Sequence, residues 1–446
     1  MAFIPAYIFI LAITISVDYS AAILMERQKG FKRKLLLITS LISTAFILFV
    51  FKYFNFFTDT FSSVAHLFNC SVPSHIYSIL LPIGLSFHTF QSMAYVIEVY
   101  RGNQKAEKNF GIYSLYVMFF PQLVAGPIER PQNLIHQFYE SHDFKYQNVT
   151  DGLKQMAWGF FKKLVIADRL AIYINEVYNH PGKYEGLPVI LATIFFAYQI
   201  YCDFSGYSDI AIGAARVMGF RLMKNFDNPY SSASVSEFWR RWHISLSSWF
   251  RDYLFIPLGG SRVSLKKIYI NLAIVFLVSG LWHGANWTFI VWGALHGIYV
   301  MVEKYFGIGN ADEEKLLAKT PSIKLSKAKS FIKKLTKQWL TFFLVCFAWI
   351  FFRADSVTDA FTIITSAWHL NFSGLGINII SIDIIYFSVA GIIILEIVQR
   401  LMMGNEFFNL MINQPRWVRL TAYHLLIISI LAFGVFNNSQ FIYFQF

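Results

Sequence analysis

Charge is what this sequence has least of. Only 14% of its 446 residues are charged, against 56% hydrophobic and 18% aromatic, and mean hydropathy is +0.48; soluble domains carry about a quarter of their residues as charges. That shortage excludes an ordinary soluble domain and reads as an integral membrane protein. Cysteine is scarce too: Cys70, Cys202 and Cys346 fall in separate segments with no C-x-x-C spacing, which argues against a disulfide scaffold or a zinc site, and no metal is expected. Strand-type alternation is missing, so a β-barrel is not expected. There is no G-x-S-x-G elbow, no H-E-x-x-H and no G-x-x-x-x-G-K, so soluble-hydrolase, zincin and nucleotide-hydrolysis readings lack their residues. No repeat of 20 to 50 residues is visible, nor the matched broken helices of an inverted-repeat transporter. No basic region precedes the first apolar run, so that run is expected to stay as a helix rather than be cleaved as a signal peptide.

What is present is a series of apolar windows, near 3–24, 35–57, 76–98, 111–125, 153–176, 187–202, 206–220, 268–284, 286–305, 338–353, 380–400 and 418–436. They predict an all-α polytopic membrane protein of about eleven to thirteen transmembrane or re-entrant helices, folded as a single membrane domain over 1–446. The run "MFFPQLVAGPIERPQ" is too rich in Pro and Gly for a lipid-exposed helix, and a re-entrant or broken segment is expected there. The formal charge of +12 would suggest nucleic acid in a soluble protein. Here the basic residues lie in the gaps between apolar runs, which fits membrane orientation instead. Arg27 to Lys34, Arg101 to Lys108 and Lys315 to Lys337 are placed on the cytoplasmic side. No Lys or Arg occurs between Lys52 and Arg101, which puts the loop around Asp59 to His75 and the N-terminus outside. Residues 306–337 read as a basic cytoplasmic loop carrying an amphipathic surface helix.

The densest polar block, "NPYSSASVSEFWRRWHISLSSWFRDYLFIPLGGSR", spans Asn228 to Arg262. Ser234 and Glu237 form an S-x-x-E capping box, so a helix should begin there. Trp239, Trp242, Leu246, Trp249 and Tyr253 then recur at helical spacing, with Arg240 and His243 as i, i+3 neighbours. Either an interfacial anchor or the wall of an active site fits this pattern. His283 is more pointed: sixteen helical residues beyond Lys267, at ~1.5 Å each, place it about 24 Å into the bilayer. Gly284 can break the helix and Asn286 can start a return helix that brings His296 to mid-depth. Ionisable residues at such depth face the protein interior and are functional by default, although a histidine can also simply bond one helix to another; His296 is assigned that structural role. A neutral imidazole can deprotonate a hydroxyl attacking an activated acyl group, with the proton passing on to the leaving thiolate.

At these residues the sequence resembles the membrane-bound O-acyltransferase family, in the branch of the alginate O-acetyltransferase membrane subunit. The resemblance runs over "LLPIGLSFHTFQSMAYVIEVYRG", "FFPQLVAGPIERPQ", "YCDFSGYSDIAIGAARVMGF", "RWHISLSSWFRDYLFIPLGG", "LWHGANW" and "QFIYFQF". It implies helices enclosing a tunnel between the two membrane faces, with residues 228–305 as the core catalytic segment. It implies that His283 in W-H-G matches the catalytic histidine and His243 in R-W-H the second one; around them Arg240, Arg241, Trp242, Trp282 and Asn286 are expected to bind substrate, the arginine pair positioning or polarising the acyl group. The donor it implies is acetyl-CoA or another acyl thioester from the cytoplasm, with no bound cofactor. The acceptor it implies is an extracytoplasmic polysaccharide, alginate-like or peptidoglycan, reached directly or through a periplasmic SGNH-hydrolase-like acetyltransferase, and the place it implies is the cell inner membrane. D-alanyl transfer to teichoic acid, and a transporter or channel using the same histidines and arginines, are the alternatives.

Overall fold

The computed structural model describes residues 7–70, 82, 84–308, 324–369, 382–401, 414–436 and 441. It is 79% helical, and no strand occurs among the described residues. The chain folds as two compact units, one of residues 1–152 and 211–223 and the other of 153–210 and 224–445.

In the first unit, α1 (Tyr7–Arg27), α2 (Gly30–Leu67) and α3 (Leu85–Arg101) are followed by the short α4 (Phe110–Met118). Their polar residues turn inward. Asp18 of α1 accepts from Ser40 Oγ (2.5 Å) and Thr44 Oγ1 (3.2 Å) of α2, and His88 of α3 bonds Thr14 of α1 (3.0 Å). Such side-chain bonds fasten helices where lipid offers no hydrophobic drive to associate. Tyr95, Tyr113 and Tyr116 fill the centre, the first two at 4.4 Å between ring centroids. After α4 the chain is broken, as expected: Phe119 is extended, Phe120–Leu123 makes a single turn, and the next helical turn is Pro131–Leu134. The freed backbone is satisfied inside protein, with Tyr116 O accepting from Gln91 and Gln122 and Glu129 O accepting from the Tyr116 hydroxyl. α2 runs ten residues beyond the expected span, so the predicted outer loop begins only after Leu67, and residues 71–81 lie outside the described set.

The second unit contains most of α5 (residues 146–178, with a π-helical stretch Phe161–Ala167) and of α6 (Leu187–Val217), then α7 (Val235–Arg241), α8 (Ile244–Phe250), α9 (Leu265–His283), α10 (Trp287–Tyr305), α11 (Lys324–Arg353), α12 (Val357–Trp368), α13 (Ile382–Leu401) and α14 (Arg416–Phe433). Two departures from the sequence reading stand out. The windows 187–202 and 206–220 form one helix, because Gly206 is a packing residue and not a break: a Cβ there would come within 2.8 Å of Gly159 O on α5. The basic stretch, described from Lys324, is not a separate surface helix but the opening turns of α11, continuous with the apolar span Phe331–Arg353. Seven described helices are long and apolar enough to cross a membrane. α5 carries buried charge: Lys162 pairs with Asp209 (2.6 Å), and Lys163 with Asp168 (2.8 Å) and Asp203 (2.7 Å).

Candidate active site

α9 and α10 form a hairpin whose helices meet through glycine. A Cβ on Gly293 would fall inside 3.0 Å of Phe276 O, with Gly280 Cα 3.2 Å away, and one on Gly280 would press equally on Phe289 O. Only residues without side chains allow backbones this close. Gly284 ends α9 in extended conformation, and the Phe289 ring fills the space where its Cβ would stand. Asn286 then caps α10, its side chain accepting from Thr288 N (3.0 Å) while its amide donates to Asp355 O (2.9 Å). The break and return helix therefore form as the sequence predicts. They leave His283 as the last residue of α9, 4% exposed.

The ring of His283 is enclosed by aromatic neighbours: Trp282 (4.8 Å between centroids), Trp292 (4.9 Å) and Phe352 (5.4 Å). Trp292 stacks on Trp349 of α11 (5.8 Å, 20°) and touches His296 (5.1 Å). His296 is wholly buried and accepts from Trp239 Nε1 at 3.3 Å through Nδ1, with its plane parallel to Phe238 (6.2 Å, 7°). A tryptophan N–H can only donate, so His296 Nδ1 is the unprotonated nitrogen. This bond ties α7 to α10, the structural role expected of His296.

α7 begins at the capping box: Ser234 Oγ accepts from Glu237 N (3.0 Å), while the Glu237 carboxylate takes Ala233 N (2.8 Å). The long helix implied by the Trp spacing does not continue. It breaks at His243, whose backbone is left-handed (φ +44°, ψ 54°), and resumes as α8. Arg240 and His243 are thus not i, i+3 neighbours on one helix. A left-handed non-glycine residue costs about 1–3 kcal/mol and persists only where its surroundings impose it. Here Asn225 imposes it. Its main-chain O accepts from Ile244 N (2.9 Å), and its Oδ1 accepts from Ser245 N (3.2 Å) and Ser245 Oγ (2.9 Å) and lies 3.2 Å from His243 Nδ1. His243 is wholly buried, with Phe204 of α6 edge-on at 4.6 Å and Trp282 at 6.3 Å. Trp282 is therefore the ring that lies between the two histidines.

The other expected site residues divide. Trp242 is buried among Phe238 (5.4 Å), Phe226 (5.1 Å) and Trp349 (5.2 Å), a packing position. Asn286 serves as the cap already described. Arg241 is bound to Glu237 (2.7 Å) and Ser231 (3.2 Å), which commits its guanidinium to holding the chain before α7. Arg240 is exposed and makes no ion pair among the described residues. Sequence reasoning missed Asn225 and Glu303. The Glu303 carboxylate on α10 accepts from Val235 N and from Ser236 N (2.8 Å) and Ser236 Oγ (2.7 Å), placing a negative charge at the start of α7. Neither residue lies in a motif or on an apolar periodicity, so no local signal marks it.

Residues 107–308 match the model of the membrane-bound O-acyltransferase family. A probable alginate O-acetylase of Pseudomonas aeruginosa is 41% identical over 315 residues, 70% of this chain and 56% of that protein, so the chain spans little more than half the length of that relative. A peptidoglycan O-acetyltransferase of Helicobacter pylori is 32% identical over 99% of this chain and 88% of its own length. A teichoic acid D-alanyltransferase of Streptococcus thermophilus is 31% identical over 50% of this chain and 57% of its own.

Proposed function

The chain belongs to the membrane-bound O-acyltransferase family, and on that premise we propose that it moves an acetyl group from a cytoplasmic thioester, acetyl-CoA or a chemical equivalent, for O-acetylation of an extracytoplasmic polysaccharide, alginate-like or peptidoglycan. The observation that carries this reading is the enclosure of His283 at a helix end, joined through Trp282 to His243, inside an aromatic, water-poor interior. An imidazole held in this way is placed to act as a general base. His283 takes the proton of the acceptor hydroxyl as its oxygen attacks the thioester carbonyl; the C–O bond forms, the C–S bond breaks, and the proton leaves with the thiolate. His243 and Trp282 stand beside the acyl group, Trp242 packs behind them, Asn286 fixes the turn that presents His283, and exposed Arg240 is available to an anionic part of the donor.

The identities of 41% and 32% to proteins named for alginate and peptidoglycan acetylation favour acetyl transfer over D-alanyl transfer, whose named relative matches half the chain. The inner membrane is the location that the family resemblance implies, and the placement of basic residues supports an N-terminus outside. A periplasmic esterase-like partner completes transfer where the glycan is out of reach. His283→Ala is expected to abolish acetylation of surface glycans, read by mass spectrometry, while the protein still inserts into the membrane. Full acetylation in that variant sinks the assignment. Incubating vesicles with a radioactive acetyl thioester separates this reading from a transporter, which would move solute and leave the acceptor unlabelled.

A further inference from the structure

We infer that Asn225 is the positioning residue of His243, fixing which ring nitrogen carries the proton and which faces the reaction; the inference rests on the reading that His243 takes part in acyl transfer. The argument begins with the amide. The backbone N–H of Ser245 is an obligate donor, and it lies 3.2 Å from the Asn225 side-chain atom that also faces the imidazole, so that atom is the oxygen. An oxygen of this kind only accepts. His243 Nδ1, 3.2 Å from it, must therefore bear the proton, and the lone pair of the neutral ring resides on Nε2. The Asn225 amide nitrogen turns the other way, donating to Ser208 Oγ of α6 at 3.3 Å, which locks the orientation.

The same residue holds the backbone. Ile244 N–H and Ser245 N–H are the first donors of α8, and Asn225 accepts both, one through its main chain and one through its side chain. Those bonds offset the strain of the left-handed His243 backbone, so ring and main chain are set by one residue. Asn225 is 1% exposed and Ser245 wholly buried, so these bonds are shut off from bulk solvent. Four charged pairs lie on the elements packed around His243: Asp203 with Lys163, Asp209 with Lys162, Glu237 with Arg241 and Asp227 with Lys224. The remaining titratable groups on α6, α7 and α9 are Tyr198, Tyr201, Cys202 and Tyr207, Arg216 paired with Asp151, the exposed Arg240, Lys266, Lys267 and Tyr269 in the first turns of α9, and the second histidine, His283. A neutral amide at position 225 therefore directs the ring without adding charge; an aspartate there would direct it equally and draw a proton onto it.

The test uses full-length protein in lipid nanodiscs with ¹⁵N-labelled histidine, the His243 signals being identified by their loss in His243→Gln. Wild type should show a protonated Nδ1 and a bare Nε2, and Asn225→Ala a mixture of tautomers. A proton on Nε2 in wild type, or an unchanged ring in Asn225→Ala, overturns the inference. In acetyl-transfer assays Asn225→Ala should lose about 10- to 100-fold in kcat with donor KM within about twofold, the scale of a misplaced catalytic group. Asn225→Asp keeps the acceptor for Ser245 N–H and serves where the Ala variant fails to fold. Its acid limb of the pH–rate profile should move upward by about one unit or more, because a carboxylate beside an imidazole stabilises the protonated ring. An unmoved limb, with wild-type kcat in both variants, counts against positioning. A fully active His243→Gln variant overturns the functional reading itself, whereas the nitrogen spectra judge Asn225 whatever the activity.

Discussion

Replacing Gly293 by Ala is the sharpest test of how His283 is held. The added methyl would lie within 3.0 Å of Phe276 O, a main-chain atom inside α9, and 3.2 Å from Gly280 Cα. Neither atom belongs to a side chain that can rotate away. To restore an ordinary separation of about 3.4 Å, the two helices must part by about 0.5–1 Å, which loosens the close packing along the rest of the hairpin. Overpacking of this kind costs about 1–3 kcal/mol. The displacement is greatest near Phe276, about two turns before His283, and a shift of ~1 Å at a reacting group is worth about 10²-fold in rate. The prediction is a loss of both thermal stability in detergent and acetyl transfer, with the activity loss exceeding what the unfolded fraction explains. Gly297→Ala is the internal control: its methyl would meet Phe276 Cβ at 3.3 Å, an approach close to ordinary contact and far milder than that at Gly293. If Gly293→Ala matches wild type in both stability and rate, the glycine crossing does not set the position of His283.

Two further outcomes follow from the same geometry. Trp239→Phe keeps the ring but removes the donor to His296 Nδ1, stranding a buried acceptor at a cost of about 1–3 kcal/mol. Its melting temperature should fall while acetyl transfer persists, and His296→Gln should likewise retain activity; a His296 variant as inactive as His283→Ala would move His296 into the catalytic set. Arg240→Ala, at an exposed position, should raise the donor KM about tenfold, the worth of one charge-assisted bond, at constant kcat. An unchanged KM would remove Arg240 from donor binding.

The features legible in the sequence were those with a local physical signature. Hydropathy gave the helical membrane architecture, Ser234 and Glu237 gave the start of α7, and Gly284 with Asn286 gave the turn between α9 and α10. The Pro- and Gly-rich run after Met118 announced its break. What was not legible depended on partners distant in the chain. The Trp spacing after Ser234 suits a continuous helix, and only Asn225, eighteen residues earlier, makes the left-handed turn at His243 affordable. The windows 187–202 and 206–220 read as two spans until Gly159 is seen packed against Gly206 within one helix. Adjacent arginines look alike in sequence, yet Arg241 is consumed by Glu237 and Ser231 while Arg240 is exposed. The motif resemblance named both histidines, and the packing separates their surroundings: His283 among rings at a helix end, His243 on a strained turn.

Glu303 gives the site an order of assembly. Its carboxylate receives the first N–H groups of α7 across 68 residues of chain. A polypeptide emerging from the ribosome presents Val235 and Ser236 well before Glu303 exists, so α7 is made without the anion that completes its start. Only when the α9–α10 hairpin has inserted and turned back can that end be sealed and His243 be brought beside Trp282. The reactive arrangement is thus a product of the second half of synthesis. A chain halted short of Glu303 would carry the R-W-H motif without the means to set it in place.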